Sequence, residues 1–252
     1  MLPTRVTTAR AVPKNMERAA HAAVDDLLKK KVITKVETPT DWCSPAFFVA
    51  KKDSNKVRMV TDFTNLNKYV KRPVHPFPSS EEIMQAVPPD ARFFAKMDAV
   101  HGYFQLAIDE ESSFLTTFLL PSGRYRYLRA PMGLSASSDE WCRQSDIVLE
   151  GIEFAKKIVD DILVWAKDLQ TLGPRLCIIL DRCRKANITI SDSKFEISNC
   201  LKFAGHIVAD YGIGPDPERI RALQQFPKPM NVHNVRSFLG CLLYTSPSPR
   251  DS

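Results

Sequence analysis

The 252-residue sequence holds no apolar run approaching the ~18 residues that a membrane-spanning helix needs. Its first ten residues, MLPTRVTTAR, lack the apolar stretch of a secretory signal. Together these absences set the expectation of an intracellular protein without a membrane span. The six cysteines, Cys43, Cys142, Cys177, Cys183, Cys200 and Cys241, never fall in a C-x-x-C spacing. That argues against a structural zinc site and against a disulfide framework, so they read as reduced, mostly buried thiols. Internal repeats, low-complexity tracts and long linkers are absent too, which excludes a repeat array or a string of tethered modules.

What is present is a composition 44% hydrophobic, enough for a substantial core in one large domain or two small ones. The net charge is +6 and uneven: residues 1–75 carry 15 Lys+Arg against 7 Asp+Glu, and the remainder is slightly acidic. A basic surface suits a polyanion such as nucleic acid, but a lysine excess is more often a solvated face. Particular residues must decide between the two.

Along the chain, ERAAHAAVDDLLKKK (17–31) sets Ala20, Ala23, Val24, Leu27 and Leu28 on one stripe at helical spacing. Two strands, Phe47–Lys51 and Lys56–Asp62, flank the turn Asp53-Ser54-Asn55 and put Lys51, Lys52, Lys56 and Arg58 near a hairpin tip. Ser79 and Glu82 form a capping box for a helix through about Val87, stopped by Pro88-Pro89. ARFFAKMDAV predicts a strand ending at Asp98, and Thr116–Leu120 with Tyr125–Leu128 a second hairpin. Ser137 and Glu140 predict the start of a helix up to Gly151, and KIVDDILVWA (157–166) a strand, turn and strand. A helix over about Pro174–Lys185, strands NITIS and KFEIS, a hairpin in LKFAGHIVADYGI, and a helix from Asp216-Pro217 through Phe226 complete the pattern. Strands mixed irregularly with helices predict an α+β or α/β sandwich of helices on an antiparallel sheet.

The chemistry gathers on three carboxylates. Burying one unpaired carboxylate costs several kcal/mol, and the adjacent Asp160 and Asp161 interrupt an otherwise apolar run. If the end of the Asp98 strand lies beside that turn, the three acids converge, and a divalent cation with a preference for hard oxygen ligands supplies the missing positive charge. An Asp-Asp pair alone is weak, since most such pairs sit in solvated turns. The apolar flanks, the earlier strand-end acid and the basic hairpin raise it.

The ordered segments FFAKMDAVHGYFQL, RAPMGLSASSDEW, IVDDILVWA, ANITISDSKFEIS and LKFAGHIVADYGI resemble the successive palm motifs of reverse transcriptases, closest to those of gypsy-type LTR retrotransposons. SPAFFVAKKDSNKVRMVTDFTNLNKYV is similar to their fingers hairpin, and the resemblance covers nearly all of residues 15–240. It implies a right-hand polymerase with fingers over 41–95 and part of 104–130, and an antiparallel palm sheet packed on helices over 96–215. Residues 1–40 become an N-terminal extension with the first helix, and 216–240 the start of a thumb or connection segment. The implied activity is RNA-directed DNA polymerase, adding deoxynucleotides to a primer 3′-hydroxyl with two Mg²⁺ ions, or Mn²⁺ in their place.

Carried residue by residue, the resemblance makes Asp98 and Asp160 the metal ligands, with Asp161 assisting and Ala99 giving its carbonyl. Lys51 and Arg58 would hold the incoming triphosphate, a point charge and a forked donor respectively. Tyr103 would sit beneath the sugar, and Met132 in the nucleotide pocket. Lys194 would protonate departing pyrophosphate, and Phe203, Ala204, Gly205 and His206 would grip the primer. Partners implied are an RNA or DNA template with primer, deoxynucleoside triphosphates, and the RNase H and integrase regions of a parent polyprotein, in the cytoplasm or within virus-like particles.

Three departures stand out. Met132 replaces a phenylalanine or glutamine, and a later proline is missing within Ser135–Ser138. Ile158 and Val159 lead into the Asp-Asp box where a tyrosine is commoner. After NVHNVRSFLG the chain reads CLLYTSPSPRDS, which fits neither the family nor a helix and reads as foreign sequence on a truncated polyprotein piece. Two rival readings are a non-catalytic nucleic-acid-binding remnant of such an element and an unrelated metal-dependent phosphotransferase.

Overall fold

The structure is a computed structural model and describes residues 4–51 and 56–245, with the side chains of Arg219 and of 241–245 outside the description. Lys52, the expected turn Asp53-Ser54-Asn55 and the tail 246–252 also lie outside the described residues. In chain order the elements are α1 (Glu17–Lys29), β1 (Ile33–Lys35), β2 (Ser44–Ala50), β3 (Val57–Thr61), α2 (Thr64–Asn67), α3 (Ser80–Gln85) and β4 (Phe93–Asp98). Next come α4 (Gly102–Gln105), α5 (Glu110–Leu115), β5 (Phe118–Leu120), β6 (Gly123–Tyr127), α6 (Ser135–Leu149), β7 (Ala155–Ile158) and β8 (Asp161–Ala166). The chain continues through α7 (Leu169–Lys185), β9 (Glu196–Ser198), β10 (Cys200–Phe203), β11 (His206–Ala209), β12 (Gly212–Pro215), α8 (Pro217–Gln224) and α9 (Val232–Thr245). Two compact units result, one from residues 1–74 and 101–141, the other from 75–100 and 142–252. Residues 75–100 belong to the second unit.

The first unit is built on a five-stranded sheet of order β1-β6-β5-β2-β3. β2 and β3 pair antiparallel from Ala46↔Thr61 to Ala50↔Val57, which is the hairpin expected from their alternating pattern. The three-residue β1 escaped the sequence reading because so short a run carries no periodicity; it pairs with β6. Phe63, Phe118, Tyr125 and Tyr127 fill the core, and α1 lays Val24 on it, with Leu27 and Leu28 packed alongside. Burial pushes the Tyr127 phenol up to about 12, while its hydroxyl pairs with Thr61 Oγ1 at 3.0 Å.

Helix α6 corrects one expectation. It starts at Ser135, and Ser137 lies inside it with its hydroxyl buried and lacking a hydrogen-bond partner, so no capping box forms there. The first turn is capped from a distance: Asn67 Oδ1 accepts from the Ser135 N–H at 2.9 Å, and Asn67 Nδ2 donates to the Gly133 carbonyl.

The second unit carries a four-stranded antiparallel sheet of order β7-β8-β4-β9 and a three-stranded meander β10-β11-β12. One sheet face buries Ala95, Met97, Ala155, Ile162 and Val164 against Val148 of α6 and Leu172, Leu176 and Ile179 of α7. The other face joins Phe94, Leu163 and Trp165 to Ile83 and Met84 of α3 and to Leu201, Phe203 and Val208 of the meander. The Ser79–Glu82 capping box of α3 forms as expected.

Other boundaries moved. α7 begins at Leu169, capped by Asp168, whose carboxylate accepts from the Thr171 N–H at 2.7 Å; Pro174 lies within the helix rather than opening it. NITIS forms no strand, only a bridge from Ile190 to Ala99. Of KFEIS, Lys194 ends a 3-10 turn and only Glu196–Ser198 extends as strand. α9 runs through CLLYT, expected to be non-helical, because no proline or glycine stop interrupts the chain between Gly240 and Thr245. Among the described residues no helix is long and apolar enough to cross a membrane.

Candidate active site

Strand β4 lies between β8 and β9, and its alternation decides which side chains meet. Phe94, Lys96 and Asp98 share one face, Ala95 and Met97 the other. The register sets Asp98 directly opposite Asp161, the first residue of β8. Such cross-strand neighbours have Cβ atoms roughly 4.5–5.5 Å apart. The third acid, Asp160, sits in the two-residue turn between β7 and β8, where Ile158 pairs with Asp161.

Backbone bonds lock this junction from both sides. The Ala99 N–H donates to the Asp160 carbonyl at 2.9 Å, and the Asp98 carbonyl accepts from the Ser191 N–H at 2.8 Å. Val159, the other turn residue, adopts a φ of 51°, in the left-handed region that a β-branched residue rarely enters. The strain, of order 1–3 kcal/mol for such positions, persists where the surroundings over-determine it.

Two ammonium groups offset part of the charge of the three acids. Lys194 Nζ donates to both oxygens of Asp98, at 2.8 and 2.9 Å. Lys96 Nζ lies 3.5 Å from Asp161 Oδ1. Burial raises the Asp161 carboxyl above the ordinary carboxylate range; Lys96 pulls it down, Asp98 pushes it up, and Lys194 pulls it down. Lys96 was absent from the sequence reading, though period two counted back from Asp98 places it on the acids' face.

The donor set suits a hard divalent cation, being three carboxylates at one sheet end. Among the described residues no three His, Cys, Asp or Glu side chains are arranged as a ready metal cage. The lysines explain this, since one holds Asp98 and another draws on Asp161. The acids therefore fit the metal by chemistry and by register, and their side chains would turn from ammonium to metal.

In the first unit, alternation puts Phe47, Val49 and Lys51 on one face of the β2–β3 hairpin together with Lys56 and Arg58 across from them. Lys51 and Arg58 are exposed, and the Arg10 guanidinium lies over the Phe47 ring at 4.8 Å. Tyr103 is half-buried on α4, and Met132 is exposed in the loop before α6. In the second unit, Phe203 is 1% exposed and belongs to the core. Ala204 and Gly205, with φ of 48° and 81°, make the two-residue turn between β10 and β11, where Phe203 pairs with His206. Gly205 thus serves a left-handed turn backbone.

A profile of the reverse transcriptase (RNA-dependent DNA polymerase) family matches residues 49–208, and the chain belongs to that family. Within it, the gypsy-type affinity read from the sequence is borne out. The Retrovirus-related Pol polyproteins from the Drosophila melanogaster transposons opus and gypsy are 30% and 31% identical over 241 and 231 residues, 92% and 88% of this chain. The chain spans only 24% and 22% of their lengths. Among solved structures, the foamy viral protease-reverse transcriptase in complex with dsDNA superposes with a TM-score of 0.84 at 22% identity, covering 97% of this chain and 51% of that one. The same protein in complex with an RNA/DNA hybrid gives 0.83 at 20% identity, covering 96% and 32%. The expected α+β polymerase fold is borne out by this likeness.

Proposed function

We propose that this chain is the catalytic domain of an RNA-directed DNA polymerase and a piece of a longer retrotransposon polyprotein. The observation that carries the reading is the register of β4 against β8, which sets Asp98 opposite Asp161 with Asp160 next in the turn. Asp98 and Asp160 would hold two Mg²⁺ ions, or Mn²⁺, with Asp161 assisting and the Ala99 carbonyl as a backbone ligand. The ions would supply positive charge at the attacking and leaving oxygens of an in-line phosphoryl displacement. The chain's own residues do the rest. Lys51 and Arg58 bind the triphosphate of the incoming deoxynucleotide, Tyr103 bars a 2′-hydroxyl, and Met132 packs under the base. Lys194, released from Asp98, gives a proton to pyrophosphate. The turn Ala204-Gly205-His206, anchored by Phe203, steadies the primer.

On this reading residues 41–95 with part of 104–130 act as fingers, 96–215 as palm, and 216–240 begin a thumb. The substrate is an RNA or DNA template with its primer, in keeping with the dsDNA and RNA/DNA hybrid with which the foamy viral protein is in complex. RNase H and integrase regions would follow in the parent polyprotein, in the cytoplasm or in virus-like particles. Primer extension on poly-rA/oligo-dT with Mg²⁺, by the chain continued into the polyprotein segment that follows, tests the proposal. Asp160→Asn is expected to lower incorporation about 10²–10³-fold, on the order of the effect of losing charge stabilisation in the transition state. Equal turnover in that variant would refute the metal assignment.

A further inference from the structure

Behind the catalytic turn, on the helix-covered face of the sheet, the second unit buries a lysine that the mechanism does not use. Lys157 of β7 is 4% exposed. Alternation places it with Ala155, opposite Ile162, among the apolar residues that meet α6 and α7. A buried ammonium needs a partner, and Asp146 of α6 provides one, with Nζ–Oδ1 at 3.0 Å. The second oxygen of Asp146 is taken by His75 Nε2. One carboxylate thus ties together β7, α6 and the proline-rich segment before α3. Asp146 and Lys157 also line a cavity of about 480 Å³ with Pro78, Arg143 and Ile152.

The pair stands two residues before Val159 and three before Asp160. β7 is an edge strand, held by β8 on one side only. The Ala99 bond to the Asp160 carbonyl fixes the far end of the turn, and nothing else described on the β7 side of Val159 is charged and buried. We propose that Lys157, seated on the Asp146–His75 pair, is a positioning residue that pins the end of β7 and so holds the strained Val159-Asp160 turn at the height where Asp160 can ligate metal. This rests on the proposed function, because it concerns how a proposed ligand is held.

Mn²⁺ binding to the chain, followed by electron paramagnetic resonance, tests it alongside primer extension. Lys157→Met and Asp146→Leu each break the pair and are expected to lower the thermal midpoint. The double variant recovers most of that loss, because an apolar pair of similar volume replaces the buried ion pair at little net cost and only the His75 contact to Asp146 is forgone. Metal affinity and turnover behave differently. Both are expected to stay roughly 10-fold down in the double variant, the lower end of the loss seen when outer-shell partners of metal ligands are removed, with KM for template–primer unchanged. Lys157→Arg, which keeps the charge, and the milder Asp146→Asn recover part of the Mn²⁺ affinity. A double variant with native Mn²⁺ affinity and native turnover would show that the pair only supports the fold and would overturn the proposal. If Asp160→Asn binds Mn²⁺ as the native chain does, the metal reading itself falls, and this inference with it.

Discussion

Val159 shows how much a single residue is made to bear. Its φ of 51° is foreign to a β-branched side chain, and two flanking constraints, the Ile158↔Asp161 pair and the Ala99–Asp160 bond, leave it no alternative. Val159→Asn, which tolerates the left-handed region, is expected to raise unfolding free energy by about 1 kcal/mol in a urea titration. A drop of that size would mean the valine side chain contributes more through packing than its backbone costs. At this scale the three acids were legible because charge inside an apolar run is conspicuous. Lys96 and Lys157 were not, since a lysine on a strand reads as solvent-facing until the partner strands show which face is covered. Family resemblance supplied Lys194 as a proton donor; its two bonds to Asp98 could not have been read from a polar turn.

Elements with local signals were legible, and those relying on distant partners were not. The capping box of α3, the Asp216-Pro217 start of α8 and the β2–β3 hairpin carry their instructions within a few residues. Helix α6 takes its cap from Asn67, sixty-eight residues upstream, so its start was misplaced. Pro174 obscures the start of α7, which lies five residues before it at Leu169 and is capped by Asp168. Hydrogen bonding from Thr171 holds the Asp168 carboxyl below the ordinary carboxylate range. A lowered carboxyl pKa stabilises the fold above the unfolded-state value of about 3.9, and that contribution is lost as pH falls through the lower folded-state value. Asp168→Ala is therefore expected to have a lower thermal midpoint than the native chain at pH 7, with the gap closing below about pH 4. A gap that stays constant from pH 7 to pH 3 would remove the charged cap from the account.

At the scale of the molecule, the basic excess falls almost wholly in residues 1–74, which are part of the first unit. Affinity for a template–primer is expected to fall linearly on a log–log plot against salt, by about 0.9 in slope for each phosphate neutralised, because bound counterions are released. Filter binding between 50 and 200 mM salt, roughly the range over which such contacts show themselves, measures it; a flat response would count against a nucleic-acid surface. The α+β class was legible from the order of strands and helices. The interleaving of two units, entered and left at residues 74, 100 and 141, was not, because it depends on pairings that no local pattern announces.

β4 obtains its neighbours late. It is made by residue 98, β8 not until residue 166 and β9 not until residue 198. At roughly 5–20 residues per second on the ribosome, Phe93–Asp98 waits on the order of 5–20 s for both edges to be covered. For that interval the nascent chain carries an open, mostly apolar strand, and Asp98 lacks Asp161 across from it. The palm-like sheet therefore closes as a late event, only after Ser198 has been made, and translational pausing inside that window would invite misassociation of an uncovered strand.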